Sequence, residues 1–256
     1  LKLDDTKITY AVLDAMSAKV AGVLRDRGIA RGERVALIMP NIPQMAFVYY
    51  GVLRYGAVVV PMNPLLKARE VAYHLQDSGA RIVFAWEGVA AEVSAGAEDA
   101  GGVEVVSVDS TAFLQLLAGA ESRTEVADVD DQDTAVILYT SGTTGRPKGA
   151  MLDHLNLQAQ SLTCIRANAV FTEDDIAFLT APMFHIAGFG SIAPNFLLGI
   201  PTVIHPLGAF NPAAIIDAWE QERATIVFNG KVFNAKDADE RDVQDIIYFA
   251  SAADGE

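Results

Sequence analysis

The feature that most constrains this chain is a repeated exchange between two hydrophobic periods. Short runs rich in β-branched residues, "RVALIM" (34–39), "AVVVP" (57–61), "RIVFA" (81–85) and "VEVVSV" (103–108), alternate with segments whose apolar residues recur at helical spacing. The helical segments run from Tyr10 to Arg27, Pro43 to Tyr55, Lys67 to Asp77 and, more weakly patterned, Gly88 to Ala100. Strands this uniformly apolar are covered on both faces, and an intervening helix is the crossover that a parallel pair requires. The pattern predicts an α/β fold of mostly parallel strands flanked by helices.

The alternation breaks at "ESRTEVADVDDQD" (121–133), a polar, acidic stretch that reads as a solvated connection. It resumes with strand "AVILY" (135–139), a helix from Asp153 to about Asn168, strand "IAFLTA" (176–181) and an apolar segment from Ile186 to Leu198. Strand "TVIH" (202–205), a helix from Pro212 to Gln221 and strand "ATIVF" (224–228) follow. The expected organisation is two α/β subdomains, 1–125 and 126–256, the second carrying the motif described next.

That motif is "YTSGTTGRPKG" (139–149), leaving the carboxyl end of strand 135–139 and leading toward the helix at 153. Open α/β sheets bind ligands at such strand ends. Gly142, Gly145 and Gly149 let the backbone turn and approach a ligand closely, while Thr140, Ser141, Thr143 and Thr144 add hydroxyl donors and Lys148 a positive charge. The set suits phosphate oxygens. It is not the Walker A loop, whose lysine directly follows its last glycine; here Arg146 and Pro147 stand between Gly145 and Lys148.

Charge and cysteine content narrow the partners. With 19 Lys plus Arg against 33 Asp plus Glu, the formal net charge of -14 repels nucleic acid backbones and anionic lipid. A hydrophobic fraction of 51% over 256 residues supplies a sizeable core, and no apolar run approaches a membrane span, so a soluble cytoplasmic protein is expected. The single cysteine, Cys164, excludes an internal disulfide and a multi-thiolate metal site, and beside Leu162 and Ile165 it reads as a buried small hydrophobe.

The stretch 139–149 resembles the phosphate-binding signature of the adenylate-forming enzymes, which include acyl-CoA synthetases, luciferases and amino-acid adenylation domains. The resemblance extends to "ERVALIMPNIPQMAFVYYGVLRYGAVVVPMNPLL" (33–66) and "LQDSGARIVFA" (75–85), similar to the amino-terminal part of fatty acyl-CoA ligases, and to "PMFHIAG" (182–188), a second family signature. It implies a two-step reaction using ATP, Mg2+ and CoA. A carboxylate attacks the α-phosphorus and releases pyrophosphate; the CoA thiol then displaces AMP. On this reading Thr140, Ser141, Gly142, Thr143, Thr144 and Gly145 wrap the phosphates as a mobile loop, Lys148 supports them, and Ser251, Ala252 and Ala253 occupy the place of an adenine-contacting turn. His185, with Phe184 and Gly188, contacts the carboxylate or acyl group, and Asn229 and Gly230 border the acyl site.

Relatives that activate amino acids carry an aspartate beside the aromatic of the second signature, where Phe184-His185 stands here, so an α-ammonium would go unpaired. A fatty acid is the leading expected substrate and an aryl acid the next. The segment 186–198, with Phe189, Ile192, Phe196, Leu197 and Leu198, reads either as an acyl-pocket wall or as core.

Several family features find no counterpart in the 256 residues: the aromatic-Gly-x-Thr-Glu magnesium motif, the ribose-binding aspartate, the hinge and the adenylation lysine. The chain also opens on Leu1 rather than Met. It is therefore read as the amino-terminal part of a larger ligase, inactive alone, with Mg2+ ligands supplied from downstream and no metal site of its own. Small molecules are the expected partners; a homodimer stays open. A nucleotide- or acyl-binding module without catalysis and a structural remnant without ligand are the competing readings.

Overall fold

The computed structural model of the chain describes residues 1–109, 111–140, 145–167, 172, 174–206 and 211–228, together with the strand backbone of 247–249. The strands are β1 (Lys2–Leu3), β2 (Thr6–Lys7), β3 (Arg34–Ile38), β4 (Val58–Met62), β5 (Ala80–Trp86), β6 (Glu104–Val108), β7 (Thr134–Thr140), β8 (Lys148–Asp153), β9 (Ala177–Leu179), β10 (Thr202–Ile204), β11 (Ile226–Phe228) and β12 (Ile247–Phe249). The α-helices are α1 (Tyr10–Asp26), α2 (Pro43–Tyr55), α3 (Ala68–Ser78), α4 (Ala90–Asp99), α5 (Ala112–Gly119), α6 (His154–Ala167), α7 (Ile186–Leu197) and α8 (Pro212–Glu222).

These strands form two six-stranded sheets. The first runs β6-β5-β3-β4-β7-β8 and the second β12-β11-β9-β10-β1-β2, each parallel except for an antiparallel last pair. Right-handed crossovers dictate where the helices go. Chain moves from β3 to β4 and from β6 to β7 run one way across the first sheet, which puts α2 and α5 on one face; moves from β4 to β5 to β6 run the other way, which puts α3 and α4 on the opposite face.

The side chains of each strand divide accordingly. Val35, Leu37, Val59, Ile82 and Phe84 face α1, α2 and α5 in a core shared with Leu179 and Ile204 of the second sheet, Ala181 after β9, and Phe189 and Ile192 of α7. Ala36, Ile38, Val60, Met62 and Val83 face Val71 and Leu75 of α3 and Val93 and Ala97 of α4. A third cluster of Phe178, Val203, Ile215, Trp219 and Val227 seats α8 on the far face of the second sheet.

The predicted α/β class with parallel strands and flanking helices holds, and α2 begins and ends at the expected residues. Its limits have local causes: Pro43 occupies the first turn and Gly56, at φ 80°, ends it in the left-handed region. Besides β12, four elements were not foreseen. Strands β1 and β2 pair with each other, and β1 also pairs with β10, from the other end of the sequence. Helix α5 is short, but the Asp109 carboxylate accepts from the N–H groups of Thr111 and Ala112, and its Phe113 and Leu117 are buried, each worth about 1.5–3 kcal/mol.

The fourth, β8, corrects the expected path of the motif. Instead of running from loop to helix, the chain turns back antiparallel to β7 with Thr140 opposite Lys148 and Tyr139 opposite Gly149, and only then enters α6. Both β7 and β8 belong to the first sheet while β1 and β2 belong to the second, so the polar link at 121–133 does not coincide with a change of sheet.

Candidate functional site

The motif is thus a β-hairpin at the carboxyl edge of the first sheet. Thr140 and Lys148, both exposed, stand opposite each other at its mouth. Ser141, Gly142, Thr143 and Thr144 lie outside the described residues. Gly145 turns the chain back at φ 95°, a region open to glycine. Gly149 is required for a different reason: a Cβ there would fall 2.7 Å from Ile137 Cγ2 and 3.4 Å from the Tyr139 ring. The bare backbone lets those two side chains lie across the hairpin.

Both stems of the hairpin are fastened to α3. Tyr139 donates its phenol hydrogen to Asp77 Oδ2 at 2.7 Å and packs its ring edge-on to His74, with centroids 4.3 Å apart. On the returning stem, Tyr73 donates to the carbonyl oxygen of Pro147 at 2.8 Å, and the Arg146 guanidinium lies over the Tyr73 ring at 5.9 Å. Burial, reinforced by the hydrogen bond to Asp77, raises the Tyr139 pKa well above the ordinary phenol value, so it remains a donor at neutral pH.

The second predicted element starts where β9 ends. His185 caps the N-terminus of α7: its Nδ1 accepts from the Ala187 N–H at 3.1 Å, so the neutral ring carries its proton on Nε2. The ring is exposed, and Phe184 beside it is half-buried against the shared core. Gly188 is buried one turn later, where a Cβ would meet the Pro182 carbonyl oxygen at 2.2 Å and Met183 Cα at 2.7 Å. Its place is thus a close helix-to-turn contact.

The apolar segment after His185 divides in two. Phe189 and Ile192 are core residues, Phe189 stacking on Tyr49 at 3.8 Å, while Leu197 is 62% exposed. Phe196 faces a cavity of about 560 Å³ with Tyr10 and Tyr50, a space lined by neither His185 nor the hairpin mouth. Of the acyl-pocket and core alternatives, core holds for Phe189 and Ile192. Cys164, expected to be buried, is half-buried on α6 and accepts from Gln160 Nε2 at 3.2 Å; α6 lies on the surface, with Ser161 its buried residue.

Asn229, Gly230, Ser251, Ala252 and Ala253 lie outside the described residues. Among the described residues, no group of three or more His, Cys, Asp or Glu side chains assembles as metal ligands, and no helix is long and apolar enough to cross a membrane.

The structure adds a residue that the sequence reading passed over. Asn41, 1% exposed, follows β3 in the first sheet, yet its carboxamide donates to the carbonyl oxygens of Ala181 (3.0 Å) and His205 (3.2 Å) and accepts from the Met183 N–H (2.7 Å). It fixes the turn that carries Phe184 and His185. The available signal was an asparagine set between Pro40 and Ile42 in "IMPNIPQM", at the junction of an apolar strand and a helix, where a polar side chain without partners would be costly.

Comparison with known proteins agrees with this construction. The model of a family described as AMP-binding enzyme matches residues 1–229. A feruloyl-CoA synthase from Amycolatopsis sp is 36% identical over 228 residues, covering 87% of this chain and 43% of the relative. The long-chain-fatty-acid–CoA ligase FadD13 of Mycobacterium tuberculosis is 32% identical over 204 residues, covering 79% and 40%. The inhibitor-bound N-terminal domain of FACL13 from Mycobacterium tuberculosis superposes with a TM-score of 0.79 at 31% identity, covering 88% of this chain and 56% of that one. The chain therefore spans less than half the length of these two curated relatives. The two-sheet fold, the hairpin motif and a family match reaching residue 229 place the chain in the AMP-binding enzyme family.

Proposed function

We propose that the chain serves an AMP-forming acid–thiol ligase that activates a fatty acid, first to acyl-adenylate and then to acyl-CoA. The observation that carries this reading is the hairpin mouth: an exposed Thr140 hydroxyl and Lys148 ammonium face each other across the stems of "YTSGTTGRPKG", at the carboxyl edge of a parallel sheet.

In the first step a carboxylate oxygen bonds to the α-phosphorus of ATP and the bond to the bridging oxygen of pyrophosphate breaks. Negative charge grows on the leaving group. Hydroxyl, N–H and ammonium donors held in advance lower the barrier because they do not reorganise as that charge appears. Thr140, Ser141, Gly142, Thr143, Thr144, Gly145 and Lys148 are assigned this work, and Ser251, Ala252 and Ala253 the adenine. Mg2+, when bound, would offset triphosphate charge; the described residues offer it no carboxylate cluster, and its ligands are assigned to other parts of the protein.

His185 is assigned to the carboxylic acid, with Phe184, Gly188, Asn229 and Gly230 around the acyl group. Its Nε2–H is free of the capping bond, and it sits at the N-terminus of α7, where backbone N–H groups favour an anion. In the second step the thiol sulfur attacks the acyl carbonyl and AMP departs. Division of the chain into units at 1–125 and 126–256, and a cytoplasmic setting where ATP and CoA are at hand, belong to the same proposal.

An aryl acid is the second reading, favoured by the 36% identity to a feruloyl-CoA synthase. ATP–pyrophosphate exchange with the full-length protein, across graded fatty acids, hydroxycinnamic acids and α-amino acids, tests both. Exchange driven by a fatty or aryl acid and absent with amino acids supports the proposal; no exchange with any acid overturns it.

A further inference from the structure

We infer that α3 is the platform that sets the spacing of the two hairpin stems, with Tyr73 and Asp77 acting as positioning residues for phosphate-oxygen donors they do not themselves supply. This rests on the functional reading above and adds to it a pair of residues outside both family-like signatures.

Tyr73 and Asp77 are four residues apart on a helix and so project from the same face. One holds the outgoing stem through the Tyr139 phenol at 2.7 Å, the other the returning stem through the Pro147 carbonyl at 2.8 Å. The two anchored residues flank the mouth on either side, Tyr139 just before Thr140 and Pro147 just before Lys148. A two-stranded hairpin on a sheet edge is weak by itself, and β8 has the sheet on one side only. Tying both stems to one rigid helix fixes their separation, which is what preorganised donors require.

The helix is itself held firmly. Val71 and Leu75 are buried against the first sheet, the Glu92 carboxylate accepts from the Ala68 N–H at 2.8 Å, and His74 Nδ1 lies 2.7 Å from the Glu70 carbonyl oxygen. Arg146 over the Tyr73 ring adds a cation to the same anchor. Since Asp77 works as an acceptor rather than as a charge, asparagine should replace it and leucine should not.

The test uses Tyr73→Phe, Tyr139→Phe, Asp77→Asn and Asp77→Leu in the full-length protein. Two quantities are read: amide hydrogen exchange in peptides covering 134–140 and 148–153, and kcat and KM for acid-dependent ATP–pyrophosphate exchange. Tyr73→Phe, Tyr139→Phe and Asp77→Leu should each speed hairpin amide exchange about fivefold or more, the worth of one hydrogen bond, without altering peptides of β3 to β5. They should lower kcat by a similar factor and leave the KM of the carboxylic acid unchanged, while Asp77→Asn stays near wild type. Wild-type amide exchange and kcat in the Tyr73→Phe, Tyr139→Phe double variant would overturn the inference. If wild type itself shows no acid-dependent turnover, the functional reading fails instead, and the amide exchange still decides whether α3 anchors the stems.

Discussion

Asn41 Oδ1 accepts a hydrogen bond from the Met183 N–H at 2.7 Å, joining residues 142 positions apart in sequence that follow strands of different sheets. With its Nδ2 on Ala181 and His205, one buried carboxamide satisfies three backbone groups around the turn that leads to His185. Asn41→Ala removes the partner of all three, and the bonds to Ala181 and Met183 are buried. The expected cost is about 3 kcal/mol, since each buried unsatisfied group is worth roughly 1–3 kcal/mol. Urea unfolding of wild type and variant measures it, and a loss below about 1 kcal/mol would show that the bonds are not made.

Gly188 and Gly119 give a matched pair. Gly188→Ala forces a Cβ to within 2.2 Å of the Pro182 carbonyl oxygen, and backbone cannot swing aside as a side chain can. Overpacking of this kind costs about 1–3 kcal/mol, more than alanine's helical preference of about 1 kcal/mol returns. Gly119 ends α5 with nothing within 4 Å of its Cβ position, so Gly119→Ala should be neutral or slightly stabilising. Thermal unfolding of both variants decides; a Gly188→Ala protein as stable as wild type would mean the turn at 182–183 lies elsewhere.

Much of the fold was legible from the strand runs. Val58 to Met62 or Ala80 to Trp86 bury almost every residue, so β propensity and hydrophobicity point the same way. Strand β8 was not legible because "KGAMLD" holds no β-branched or aromatic residue and no alternating pattern; Lys148, Ala150 and Met151 are exposed, and its strand pairing comes from the edge of β7. The phosphate motif was legible for the opposite reason, its donors being contiguous in sequence. Asn41, Tyr73 and Asp77 act across 142, 74 and 62 residues respectively, and no local pattern announces a partner so distant.

Acid should weaken two helix starts. The Asp109 carboxyl titrates below the ordinary aspartate value because the Thr111 N–H, then those of Ala112 and Phe113, bond its ionised form; Glu92 titrates below the usual glutamate value through the Ala68 N–H and Lys67. A folded pKa below the unfolded one contributes stability that is present above the unfolded value and lost as pH falls through the folded value. The loss should begin near the ordinary values of about 3.9 and 4.3 and deepen below them. Asp109→Asn with Glu92→Gln should be less stable than wild type at pH 7, and the gap should narrow as pH falls below the ordinary carboxylate values. Parallel stability curves from neutral to acid pH would rule the assignment out.

His185 combines a capping role with a proposed chemical one, and two variants separate them. Asparagine can still accept from the Ala187 N–H, so His185→Asn should fold as stably as wild type, while His185→Ala loses the cap at about 1 kcal/mol. Both should raise the KM of the carboxylic acid and leave ATP affinity nearly unchanged. Collapse of ATP affinity with normal use of the acid would move this histidine to the nucleotide side of the site.

The central claim is that the hairpin stabilises pyrophosphate as it leaves. Acid-dependent exchange of labelled pyrophosphate into ATP reads that step without requiring CoA, and is measured on the full-length protein beside its Thr143→Ala, Thr144→Ala variant. Loss of transition-state donors should slow the variant by ~10²–10³ while both proteins keep the same unfolding midpoint. Equal exchange rates in the two proteins would contradict the account.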